Sequence, residues 1–347
     1  MSLPSRRGRA LAATVLAATV ATGCGTHVAA VPARASSAES LDPSSARALA
    51  PIVVLDSSVD PPSPRPTPRH TPTAPARTSS PPARARSVTR HEVRGVVSTA
   101  GVRQWVDCRG NGPVTVVVVP GLGATAASWS QVYPALTRVT RTCVYDRPGL
   151  GLSPARPEAT QVLDAGIYAH ELHALLLAVG EPGPYVVVGH SFGGLIARAF
   201  VRDYTWAVAG VMLAESVAPY DPTNGAFWAE AGHQISMAAS SAATGAGPDM
   251  GHLPLLVLSA SDPEEDHLGG PTYGQPQWAI DLWRAQQAAD VRLSTDSIHV
   301  IAHSGHVLQQ DNPGAVIAAD TVLVTAAETG ARLRCSSLWE DHDATCS

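Results

Sequence analysis

Apolar residues in this chain come in short unbroken runs, separated by longer stretches in which they recur every three or four positions. VTVVVVP (114–120), TCVYD (142–146), YVVV (185–188), VAGVML (208–213), LPLLVL (253–258) and IHVIA (298–302) are such runs. Each has the length of a strand, and an apolar run without alternation suits a strand buried on both faces. EVRGVVST and VRQWVDC add two strands joined by a turn at Ala100-Gly101. LDAGIYAHELHALLLAVG (163–180) sets Ile167, Leu172, Leu175, Leu176 and Val179 along one side of a helix that stops at Gly180. Asn312 and Pro313 suit the N-cap and first position of a last helix through GAVIAADTVLVTAAE. Strands alternating with helices predict a mainly parallel α/β sheet flanked by helices.

The first 87 residues have another texture. Arg6, Arg7 and Arg9 precede LAATVLAATVAT, an apolar stretch too short to span a bilayer, and ATGC follows. Residues 1–24 therefore read as an export signal. The small residues before Cys24 resemble a bacterial lipobox, with Ala21 where leucine is usual. Lipidation of Cys24, with anchoring to the outer face of the cell membrane, is expected, and plain secretion is the alternative. Residues 25–87 are rich in Pro, Ser, Thr and Arg, as in PPSPRPTPRHTPTAPARTSSPPARAR, and predict an extended linker with no core. The folded domain is expected over 88–347.

Charge divides the same way. Of the 24 basic residues, all arginine, 11 lie in residues 1–90 with 4 acidic ones, a balance of +7. The remainder holds 13 Arg against 25 Asp and Glu, a balance of −12. An acidic folded part excludes a nucleic-acid partner, which needs a basic face. HExxH, CxxC and Walker patterns are absent, and His170 and His173 in HELH suit a half-exposed helix face.

The chemistry concentrates at GPYVVVGHSFGG (183–194), where a strand runs into the helical LIARAF. A serine hydroxyl is a weak nucleophile unless a base takes its proton. A tight strand-to-helix turn lifts it clear of the sheet, and crowding there leaves space only for glycine at positions 189 and 193. This is the nucleophile elbow G-x-S-x-G, with Ser191 as nucleophile and the acid and then the histidine following in the chain. The base is expected on the loop after the last strand, where IHVIAHSGHVLQQDNP offers His299, His303 and His306. His306, just before the last helix, is the choice. For the acid, Asp262 after LPLLVL is preferred to Glu215 at the end of VAGVMLAE. An acyl-transfer site also needs oxyanion donors. The N–H of Phe192 and that of Leu122, in the glycine loop PGLGATAASW, are expected to serve. Asp146 and Arg147 in YDRPG are expected to order a loop nearby.

Taken in order, PGLGATAASW, YDRPGLGLS, AHELHALL, GPYVVVGHSFGGLIAR, LPLLVLSASD and SGHVLQQDNP resemble the landmarks of the α/β-hydrolase superfamily over about 92–327. The resemblance implies an eight-stranded type of sheet and a serine hydrolase with Ser191, His306 and Asp262 as its triad, needing no cofactor. Pro120 stands where a histidine often precedes the oxyanion glycine, and residues 216–252 leave space only for a short cap. Relatives that open epoxides use an aspartate nucleophile where this chain has Ser191. The family strand order brings Cys108 beside Cys143, which implies a disulfide, and Cys335–Cys346 would then clip the tail. Two bridges suit an exported chain.

The expected function is cleavage of a small-molecule or lipid carboxylic ester through an acyl-enzyme. Peptidase, thioesterase and acyltransferase chemistry on the same residues, or a non-catalytic surface lipoprotein using the fold as a binding scaffold, are the alternatives.

Overall fold

The computed structural model describes residues 91–99, 101–157, 162–219, 227–245, 250–262 and 276–347. The expected leader, Cys24 and the linker lie outside them.

Strands β1 (Val93–Thr99) and β2 (Val102–Arg109) form an antiparallel hairpin. β3 (Thr115–Val119), helix α1 (Tyr133–Val139), β4 (Arg141–Asp146), α2 (Ala165–Ala178) and β5 (Tyr185–His190) follow. Next come α3 (Phe192–Tyr204), β6 (Val208–Ala214), a small hairpin of β7 (Phe227–Glu230) and β8 (His233–Ser236), and α4 (Met237–Ala243). The chain ends with β9 (Leu255–Ala260), α5 (Gln277–Asp290), β10 (Ser297–Ala302), α6 (Leu308–Asp311), α7 (Pro313–Thr329) and β11 (Ala344–Cys346).

The main sheet runs β1-β2-β4-β3-β5-β6-β9-β10-β11. From β4 to β10 neighbouring strands are parallel. β2 is antiparallel to β4, and β11 to β10. The described sheet therefore has nine strands, one more than the type expected. The addition is β11, a three-residue segment too short and too polar to register as a strand in the sequence.

Period-two alternation explains the unbroken apolar runs. Val117 and Val119 of β3 and Val187 of β5 enter one buried cluster with α2 and α3. Val116, Val118, Val186 and Val188 enter another with α7 and Trp129 on the opposite face. Both faces of the strand are covered, so no position is left for a polar residue. At the ends of the helices the side chains of Asp164 and Asn312 accept from the N–H groups of Ile167 (3.0 Å) and Ala315 (2.9 Å).

The two bridges join the expected cysteines. Cys108 and Cys143 face each other across β2 and β4, and their sulfurs are 2.03 Å apart. Cys335–Cys346, at 1.98 Å, ties the chain beyond α7 to β11.

Candidate active site

Ser191 lies between β5 and α3 with φ 53° and ψ −123°. A non-glycine residue held there costs on the order of 1–3 kcal/mol and persists only where its surroundings dictate it. Three backbone bonds do so. The Ser191 N–H donates to Ala214 (3.0 Å), and the Ser191 carbonyl accepts from Gly194 (2.9 Å) and Val217 (3.1 Å). The flanking glycines are a matter of space. A Cβ on Gly193 would lie 2.1 Å from the carbonyl oxygen of Val119, and one on Gly189 would lie 2.5 Å from that of Gly193.

His306 is buried on the loop between β10 and α6. Its Nδ1 is 3.2 Å from Oε2 of Glu215. Glu215 follows β6 and is itself held on both oxygens. Oε1 accepts from the Ala260 N–H (2.8 Å), and Oε2 accepts from the indole Nε1 of Trp283 (2.8 Å). The structure thus sets Glu215, the alternative acid, against the histidine. Asp262 follows β9, is half-buried, and sends its backbone N–H to Ser304 (3.3 Å). The parallel pairing of β6 with β9 accounts for the arrangement. It stops at Ala214 and Leu258, so Glu215, whose N–H donates to Leu258 (2.9 Å), already stands at the edge of the sheet facing the His306 loop.

The loop that bears His306 is fixed from below by His190. Burial first, and the neighbouring His306 second, push the His190 imidazole down to about 3, so it is neutral. Its Nε2 lies 2.8 Å from the carbonyl oxygen of His306, an acceptor, so Nε2 carries the proton and donates it there. The two rings are 4.9 Å apart. The other two histidines of the region are engaged elsewhere. His299 lies in β10 with Nε2 2.8 Å from Ser259 Oγ, and exposed His303 meets Ser261 Oγ at 3.3 Å.

The glycine loop after β3 passes directly over the elbow, since a Cβ on Gly121 would lie 3.1 Å from that of Ser191. Leu122 is half-buried and packs on the core. Phe192 opens α3, so its N–H has no partner within the helix. Asp146 and Arg147 do order their surroundings. Asp146 accepts from the N–H groups of Ala126 (2.7 Å) and Leu152 (2.9 Å). Arg147 donates to the carbonyls of Pro120 and Gly121 and to both oxygens of Glu230.

Glu230 and Trp283 are the participants that sequence reasoning did not find. Neither belongs to a motif, and they are 83 and 68 residues from the groups they bind. His170 and His173 stand apart, with His173 stacked on Tyr204 at 3.7 Å between ring centroids and His170 hydrogen-bonded to the Tyr204 hydroxyl.

Among described proteins, an uncharacterized vacuolar membrane protein of Saccharomyces cerevisiae is 35% identical over 95 residues, 27% of this chain and 14% of that one. The matched stretch is thus a small part of that relative. A thermophilic esterase from Thermogutta terrifontis superposes with a TM-score of 0.52 at 19% identity, over 68% of this chain and 100% of that one. An enol-lactonase from Burkholderia xenovorans gives 0.50 at 16% identity, over 67% and 100%. Identities this low speak to the fold alone. Residues 114–303 match the alpha/beta hydrolase fold family. They contain the parallel sheet, the elbow, Glu215 and Asp262 and stop three residues short of His306, and on that match this chain belongs to the α/β-hydrolase fold family.

Proposed function

We propose that the protein is a serine hydrolase that cleaves carboxylic esters through an acyl-enzyme on Ser191. The observation that carries this reading is the brace from Glu215 to His306, whose ring lies 4.9 Å from that of His190, the residue just before a serine held at positive φ. In the proposed reaction the Ser191 hydroxyl attacks the ester carbonyl while His306 takes its proton through Nε2. Glu215 holds the Nδ1–H tautomer and stabilises the imidazolium that forms. The N–H groups of Leu122 and Phe192 receive the oxyanion. The carbonyl re-forms, the alkoxide leaves with the proton from His306, and water repeats the sequence on the acyl-enzyme to release the acid. The protein groups suffice for this chemistry.

Esters are favoured over peptides on chemical grounds. An alkoxide departs more readily than an amine. The two disulfides support an oxidising compartment, in keeping with export. A panel of p-nitrophenyl esters of increasing acyl length, run beside peptide and thioester substrates, tests the substrate class. Turnover of the esters with negligible peptide cleavage is expected. Peptide turnover at equal or greater kcat/KM would replace the ester reading.

A further inference from the structure

The β7–β8 hairpin reaches the oxyanion loop with a carboxylate. Glu230, the last residue of β7, is buried, and its Oε1 accepts from the Gly123 N–H at 2.7 Å. The same carboxylate takes two bonds from Arg147, at 2.8 Å on Oε2 and 2.6 Å on Oε1. Arg147 passes the constraint on, since its remaining donors bind the carbonyls of Pro120 and Gly121. Tyr168 adds a hydrogen bond to Glu230. Burial alone would raise the Glu230 carboxyl, but Arg147 together with the Gly123 N–H and Tyr168 outweighs that and holds it below its usual range. The pair is therefore charged on both sides throughout the neutral range.

These contacts use the carbonyls of 120 and 121 and the N–H groups of 123 and, through Gly121, 124. The Leu122 N–H is left out of them. A second side chain of the hairpin packs near the side chain of the residue that carries the other expected donor: the Trp228 ring lies 6.0 Å from that of Phe192. The hairpin is itself stitched to the body. Leu163 donates to Gln234 (2.8 Å) and accepts from Ser236 (2.9 Å), and the turn at Ala231-Gly232 takes φ of 50° and 82°.

We propose that Glu230 is a positioning residue for the reaction: from the hairpin, it locks the 120–123 loop through Gly123 and Arg147 so that the Leu122 N–H points at the forming oxyanion. The proposal rests on the serine-hydrolase reading of Ser191. The β7–β8 hairpin thereby takes part in building the oxyanion site.

The test uses Glu230→Gln and Glu230→Asp in the whole chain. Glutamine puts an amide N–H against the Arg147 guanidinium or the Gly123 N–H, and aspartate withdraws the carboxylate by one methylene. Fold is checked by near-UV circular dichroism. In the folded variants kcat for p-nitrophenyl acetate should fall by about tenfold or more, within the roughly 10²–10³ lost with a whole oxyanion donor. KM should stay within about threefold, because ground-state ester binding does not use the donor. Affinity for a trifluoromethyl ketone, whose adduct with serine carries an oxyanion, should fall in step with kcat. The rising limb of the pH–kcat profile should keep its midpoint, since the groups around His306 are untouched. Deuterium exchange of the peptide covering 120–124 should accelerate, a readout that needs no activity. Folded variants with kcat near wild type, or with unchanged exchange over 120–124, overturn the proposal. So does a loss that appears in KM alone. A wild-type protein inert to esters and unlabelled by a fluorophosphonate would instead overturn the serine-hydrolase reading, while the exchange result would still report on the lock.

Discussion

The imidazole Nδ1 of His306 meets Oε2 of Glu215 at 3.2 Å, across 91 residues of chain. The carboxylate is not free to turn away. Trp283 and Ala260 hold one oxygen each. A buried carboxylate fixed in this way keeps its partner imidazole in one tautomer and one orientation.

Glu215→Gln is therefore predicted to lower kcat by about 10³–10⁴, the range precedented for loss of a triad acid. Asp262→Asn is predicted to change kcat by less than about tenfold. Steady-state kinetics on one ester, with circular dichroism to confirm that both variants fold, decides between them. Equal losses, or a larger loss in Asp262→Asn, would return the role to Asp262.

Asp320 supplies a prediction in pH. It sits on the buried side of α7, 1% exposed, and neither carboxylate oxygen has a hydrogen-bond partner. Burial raises its carboxyl from 3.8 to about 7. Between those two values the folded state holds a proton that the unfolded state has lost. Stability from this group is thus complete below about pH 4 and is lost as pH rises through about 7. Three pKa units set a ceiling of about 4 kcal/mol. Asp320→Asn cannot ionise, so its stability relative to wild type should rise between pH 5 and pH 8. Urea denaturation at the two pH values measures this, and a difference that stays constant would contradict it.

The two disulfides should part under mild reduction. Cys108 and Cys143 are buried between strands, whereas Cys335 is exposed. Reductant without denaturant should open Cys335–Cys346 and leave Cys108–Cys143 closed, as read by alkylation and peptide mapping. The bridges span 35 and 11 residues. By loop entropy they are worth about 4 and about 3 kcal/mol. Replacing Cys108 and Cys143 by alanine should accordingly cost the larger drop in stability. Simultaneous reduction of both bridges by mild treatment would count against the burial difference.

Much of the fold was legible because its local signals agree. The valine runs of β3 and β5 are covered on both faces, the Asp164 and Asn312 caps mark helix starts, and the glycines beside Ser191 have no space for a side chain. The choice of acid was not legible for a geometric reason. Glu215 and Asp262 both follow buried strands, and nothing in the sequence shows that the register of β6 against β9 brings Glu215 to 3.2 Å from the histidine. Glu230 left no trace in the sequence because a hairpin carboxylate acquires meaning only from Gly123 and Arg147, which are distant in the chain. β11 escaped notice because three residues carry no period.

The most direct measurement is covalent capture at the elbow. A fluorophosphonate requires a serine activated by a base and an oxyanion site, and so reports on Ser191, His306 and the 120–123 loop together. Incubated with the wild-type protein, it should add one phosphonyl group, located by mass spectrometry on the peptide that contains Ser191. Ser191→Ala, folded by circular dichroism, should take up none. An unlabelled wild-type protein, or an adduct that persists in Ser191→Ala, would contradict the account.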